Sequence, residues 1–161
     1  MNKTYINKIK VYQNQYKGDY SSIKNKYFTD QSGAIYFSDK YSIIKLFDTE
    51  YNRKQRNDIL TTFEKGEKLN DQILKLFDNF RQSDFNIPAK KKGEYMDTFN
   101  NKKYCFMGNN NLAFDILKIQ RIEKIISGNK ATSYFISEKN KNAICIVGIN
   151  GVAYLLGCLK F

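Results

Sequence analysis

A chain of 161 residues that is 42% hydrophobic, 27% charged and 15% aromatic has the length and composition of one globular unit able to bury its own core. Its 27 Lys and Arg stand against 16 Asp and Glu, a net charge of +11, and it holds no histidine. Without imidazole, Ser-His and Cys-His nucleophiles and the usual zinc and iron ligand sets are excluded, so a binding protein is expected rather than an enzyme, with no cofactor and no metal.

In chain order, Thr4 to Tyr16 puts Tyr5, Ile9, Tyr12 and Tyr16 on one helical stripe that Gly18 ends. The other side of that helix carries Lys3, Asn7, Lys10, Asn14 and Lys17 in steps of three and four, a continuous polar and basic line. Ile23 to Thr29, Ala34 to Ser38 and Tyr41 to Phe47 read as three antiparallel strands, separated by Asp30-Gln31-Ser32-Gly33 and Asp39-Lys40. From about residue 48 to 101 the pattern turns helical. Ile59, Leu60 and Phe63 mark a short helix, and Leu69, Ile73, Leu76, Phe77 and Phe80 mark a second one after Gly66. The only proline, Pro88, opens Ala89-Lys90-Lys91-Lys92-Gly93, which reads as an exposed loop.

In the last third, Lys103 to Met107 reads as a strand and Gly108-Asn109-Asn110-Asn111 as turn and helix cap. A helix from about Leu112 to Ile126 follows, with Leu112, Ile116, Ile119 and Ile126 on one stripe and Gly128 as its stop. Ala131 to Ser137, Ala143 to Ile149 and Val152 to Lys160 close the chain as strands, with Asn150-Gly151 as a hairpin turn.

Cys105, Cys145 and Cys158 are far apart and flanked by apolar or aromatic residues, as expected of buried free thiols in a reducing cytoplasm. The N-terminal residues lack the apolar core of a secretory signal, and the most apolar stretch, Ala143 to Leu159, is broken by glycines, so no membrane association is expected. Four carboxylates near one another in sequence, Asp30, Asp39, Asp48 and Glu50, could be imagined as a magnesium centre, but turn positions account for them more simply. No P-loop, dinucleotide fingerprint or nucleophile elbow is present.

The charge is unevenly placed. Residues 1–47 carry 8 basic and 3 acidic side chains, residues 48–100 carry 10 and 10, and residues 101–161 carry 9 and 3. Lysines outnumber arginines 23 to 4, so AT-rich coding is the competing explanation of the basic total, but such coding would have raised the middle as well.

The two basic ends share one grammar. Helix-strand-strand-strand is followed, after the insertion, by strand-helix-strand-strand-strand, and Gly33-Ala34-Ile35-Tyr36-Phe37 matches Asn142-Ala143-Ile144-Cys145-Ile146. An α+β domain over residues 1–161 is expected. Two similar (β)αβββ units, about 1–47 and 102–161, would form one curved antiparallel sheet with the helices on one face and a helical insertion between the units. If the two helices share that face, Lys3, Lys10, Lys17, Lys118, Arg121 and Lys124 form a basic surface of phosphate-contacting type. Reversing Lys10, Lys118 and Arg121 to Glu is then expected to abolish DNA binding with little effect on thermal stability. Most of the 12 Tyr and 12 Phe are expected in the core, with Tyr27, Tyr36 and Tyr41 as candidates for stacking on single-stranded bases.

The run Ile35-Tyr36-Phe37-Ser38-Asp39-Lys40-Tyr41-Ser42-Ile43-Ile44-Lys45-Leu46 resembles the hairpin of bacterial and phage clamp-like proteins, in which an acidic turn follows a short strand and an apolar strand resumes. Lys40 stands where that pattern usually has glycine. Tyr104 to Phe161 is similar to the second unit of the same proteins in element order and length. Over about two thirds of its length the chain thus resembles one domain of the DNA sliding-clamp family, the processivity factors of replicative polymerases. The resemblance implies a non-enzymatic protein whose helices face double-stranded DNA without sequence preference, with a polymerase or host nuclease as protein partner. Bacterial clamps carry three such domains per chain and close rings of six. This chain has length for one, so a ring would take six copies, and a homo-oligomer stays open. The alternative is a small phage or mobile-element protein that inhibits or redirects a host nucleic-acid enzyme by protein binding, with the middle helices as its contact.

Overall fold

The apolar stripe at the N-terminus becomes the inner side of α1 (Lys3–Gln13), where Tyr5, Ile6, Ile9 and Tyr12 are buried. The computed structural model describes residues 3–13, 25–66, 80–99, 101–107 and 112–157. Lys17, the expected helix at Leu69 to Phe77, the Asn109 to Asn111 cap and Cys158 lie outside the described residues.

After α1 come β1 (Lys26–Thr29), β2 (Ile35–Ser38), β3 (Ser42–Leu46), α2 (Glu50–Thr62) and β4 (Glu64–Lys65). A 3-10 turn at Gln82–Asp84 precedes β5 (Ile87–Ala89), β6 (Lys91–Asp97), β7 (Lys102–Met107) and β8 (Ala113–Asp115). The chain then forms α3 (Ile116–Ile126), β9 (Ser133–Ile136), β10 (Ala143–Val147) and β11 (Gly151–Leu156).

An α+β fold results, with an eight-stranded sheet in the order β4-β1-β2-β3-β11-β10-β9-β5 and a three-stranded sheet β6-β7-β8. Each basic end is a helix followed by a three-stranded meander. The two meanders join through their equivalent last strands, β3 and β11, antiparallel from Ser42 opposite Leu155 to Leu46 opposite Gly151. Period-two alternation sends Ile35, Phe37, Ile44, Leu46, Ile144, Ile146, Ala153 and Leu155 to one face, into a single core with the inner sides of α1 and α3 and with Ile59 of α2. The matched pairs Ile35 with Ile144 and Phe37 with Ile146 therefore occupy the same layer. Each such side chain, removed from water, contributes roughly 1.5–3 kcal/mol before entropy is counted. On the other face Phe28, Tyr36, Cys145, Val152 and Tyr154 pack with Phe80 and Phe85.

Three features depart from expectation. The large sheet is mixed rather than wholly antiparallel, because β4 pairs parallel with β1. The insertion carries strands as well as a helix: the expected Pro88 to Gly93 loop is β5 and the start of β6, with Pro88 opposite Phe135. Proline is tolerated there because β5 is the outermost strand, and Gly93, at φ +59°, takes up the bulge between Lys92 and Glu94. Finally, α3 starts at Ile116 rather than Leu112, because the Asp115 carboxylate accepts from the backbone N–H of Leu117 at 3.0 Å and of Lys118 at 3.4 Å and so caps it.

The β2–β3 turn holds Lys40 at φ +87°, a conformation that a side chain with a Cβ resists. Lys40→Gly is expected to raise the unfolding free energy by about 1 kcal/mol, read as a shift in urea midpoint. A lower midpoint would mean that the Lys40 ammonium, 5.4 Å from the Tyr41 ring centre, contributes more than the backbone costs.

Candidate nucleic-acid interface

With their apolar sides on the sheet, α1 and α3 lie side by side and leave a groove of about 450 Å³ between their outer surfaces. From α1 it is lined by Thr4, Asn7, Lys8 and Val11, and from α3 by Leu117, Gln120, Arg121 and Lys124. The helical period explains the selection: residues three and four apart share a side, so 4, 7, 8 and 11 face one neighbour and 117, 120, 121 and 124 face back.

Three cations and no carboxylate line this groove. The acidic residue of α3, Glu123, is engaged on another side of the helix. Its Oε2 accepts from the Thr132 hydroxyl and, at 2.7 Å, from the Tyr134 hydroxyl, and the Lys91 ammonium lies 3.9 Å from its Oε1.

Of the expected basic residues, Arg121 and Lys124 meet in the groove. Lys3 and Lys10 are exposed on α1 but do not line it; about 100° of rotation per residue carries them to the flank turned away from α3. Lys8 lines the groove although the i, i+3, i+4 line through Lys3 and Lys10 passes it by.

Lys118 does not belong to this surface. It is 4% exposed, and its ammonium sits 3.4 Å from Oδ2 of Asp39, whose side chain is also buried. Residues spaced by three drift about 60° per step around an α-helix, so Lys118, Arg121 and Lys124 sweep about 120° and the first falls underneath. Asp39 Oδ1 accepts from the backbone N–H of Tyr41 at 3.1 Å and of Ser42 at 2.8 Å, and from the Ser42 hydroxyl at 2.7 Å. The Tyr12 hydroxyl is 2.7 Å from that of Ser42, and the Lys118 ammonium stands 5.1 Å from the Tyr41 ring centre. One buried polar cluster therefore ties α1, the β2–β3 turn and α3. Lys118→Glu would set two carboxylates against each other there, so a reversal of Lys10, Lys118 and Arg121 would not leave stability unchanged.

Two of the three candidate stacking tyrosines are structural: Tyr27 is in the core and Tyr36 stacks on Phe28 with ring centres 5.5 Å apart. The four carboxylates that could be imagined around magnesium each have a cation of their own. Asp30 Oδ2 lies 2.8 Å from the Lys45 ammonium, which with the Ser32 hydroxyl holds its carboxyl well below the usual range. Asp39 faces Lys118, Asp48 lies 2.8 Å from Arg53, and Glu50 lies 3.7 Å from Lys54. Among the described residues no group of three or more Cys, Asp or Glu could hold a metal ion. Cys105 and Cys145 are free and buried, and burial pushes the Cys145 thiol up to about 12. No helix among the described residues is long and apolar enough to cross a membrane. No protein-family model matches the chain, and no curated protein or solved structure is similar enough to count as a match.

Proposed function

We propose that this chain is a non-enzymatic DNA-associated protein of sliding-clamp type, which holds the backbone of double-stranded DNA on the outer face of α1 and α3 without reading its sequence. The observation that carries the reading is the groove in which Lys8, Arg121 and Lys124 converge with no carboxylate among its lining residues. Cations so placed release condensed counterions when they meet phosphates, an interaction that positions DNA but carries no base readout. The two helix-plus-meander units joined through β3 and β11, with both helices on one face, also favour it. The outer strands of the two units, β1 and β9, are paired on their far sides by β4 and β5, so this reading is of a DNA surface without ring closure. A polymerase or a nuclease is the natural protein partner, and buried free thiols suit a reducing cytoplasm.

The test is duplex binding followed by fluorescence anisotropy across a salt series. The wild-type chain should bind several unrelated duplexes alike, with affinity falling steeply with salt. Lys8→Glu, Arg121→Glu and Lys124→Glu combined should weaken binding by about a hundredfold or more at low salt while the melting temperature stays within a few degrees. Unaltered binding by the triple variant would sink the interface, and a hexamer by light scattering would reverse the statement about rings.

One feature favours a protein partner instead: Val11 and Leu117 are 50% and 52% exposed in the same groove, apolar surface that phosphates do not use. An acidic amphipathic helix would fit both the apolar floor and the basic rim. A wild-type chain that ignores DNA at low salt but forms a stoichiometric complex with a nucleic-acid enzyme would decide for that reading.

A further inference from the structure

The β6–β7 hairpin carries a side chain that the fold does not use. Phe99, in the turn between the two strands, is 96% exposed, whereas the other exposed large apolar side chains among the described residues lie between 38% and 53%. Beside it the Asp97 carboxylate accepts from the Phe99 backbone N–H at 3.0 Å, and Asn101 takes a left-handed φ of +54°. The last paired positions are Met96 opposite Lys103 and Asp97 opposite Lys102, so an apolar and a basic side chain stand side by side just behind the tip.

The arm is fastened along α3. At its root the Lys91 ammonium is 3.9 Å from Glu123, and near its tip the Lys102 ammonium is 3.8 Å from Asp115, the cap of that helix. Eight helical steps from Asp115 to Glu123 cover about 12 Å, whereas the seven residues of β6 extend over about 20 Å, so the arm overshoots the N-terminus of α3.

We infer that this hairpin is a wedge for duplex DNA, with Phe99 entering a base step while Lys103 meets a flanking phosphate. The inference rests on the DNA reading of the α1–α3 face. A single ring on a narrow two-stranded arm is too small an apolar surface for a stable protein interface, but it matches the gap between two stacked bases. Lys103, opposite Met96 just behind the tip, suits a phosphate that borders such a gap, and the arm lies along the helix that supplies Arg121 and Lys124. The expected consequence is a local kink in DNA that the helix face alone would leave straight.

The test uses the full chain and a short duplex labelled at both ends, with energy transfer reporting bending and anisotropy reporting binding. Wild-type binding should raise transfer. Phe99→Ala should bind within about threefold of wild type and leave the duplex as straight as when free, and Phe99→Trp should restore the bend. The wild type binding without any change in transfer, or a Phe99→Ala complex as bent as wild type, overturns the wedge and leaves phosphate binding standing. No binding by the wild type at low salt removes the DNA reading itself, and the wedge with it.

Discussion

Lys118→Met is expected to destabilise the folded chain by about 3–5 kcal/mol, and Lys118→Glu to leave no cooperative unfolding transition at all. Removing the ammonium takes the opposing charge from a carboxylate that is closed to water, while Oδ1 keeps its N–H and O–H donors. A domain of this size has a total stability of about 5–15 kcal/mol, so the neutral variant should be marginal and the reversed one should fall below the threshold. The pair is not itself a large source of stability, because desolvating two charges offsets most of their attraction. Asp39→Asn combined with Lys118→Met should therefore recover much of what either loses alone, a coupling that urea midpoints of the four proteins would measure. A loss of under 1 kcal/mol for Lys118→Met would mean that Asp39 reaches water in solution.

The same residue shows which parts of the molecule were legible in the amino-acid sequence. Elements built on local pattern were: the stripe Tyr5, Ile9, Tyr12 and the continuous apolar run Ala143 to Val147 are each set by neighbours within a few residues, and both are buried. The repeat was legible for the same reason, since two similar local patterns fold alike. Lys118 was misread because its counterion lies 79 positions away, in a turn whose Asp and Lys look solvent-facing. A line of residues three apart also looks like one face in a sequence while it winds under the helix. Lys8 was missed because the side of α1 that matters is fixed by where α3 packs, a tertiary fact. The strands β4 and β5 are short pieces that exist only because open edges of β1 and β9 were there to receive them. Phe99 carried no signal of its own; among the described Tyr and Phe, only its exposure sets it apart.

The second large effect is expected at the β10–β11 turn, which packs on the first unit. Asn150-Gly151 forms the expected hairpin turn, but glycine in such turns commonly supplies a positive φ, and the positive-φ glycines among the described residues are Gly33, Gly93 and Gly128. The turn glycines serve close approach instead. A Cβ on Gly148 would lie 2.6 Å from the Ile126 carbonyl oxygen at the end of α3, and one on Gly151 would lie 2.8 Å from the Lys45 carbonyl oxygen in β3. Around them the Asn150 N–H donates to the Ile126 carbonyl at 2.8 Å, while the Asn150 carbonyl accepts from the Phe47 N–H at 2.9 Å and from Asn52 Nδ2 at 2.7 Å. The turn therefore fastens the C-terminal end of α3 to the first meander and to α2. Because the clashing atoms are backbone, they yield only if α3 or β3 moves. Gly148→Ala should cost about 2–3 kcal/mol, as overpacking in a closed site does. Gly33→Ala is the control: nothing lies within 4 Å of its Cβ position and only φ +84° resists the change, so about 1 kcal/mol is expected. Equal urea midpoints for the two variants would show that the turn is free to shift. A deeper loss at Gly148 would show that the contact between this turn and the end of α3 does not yield.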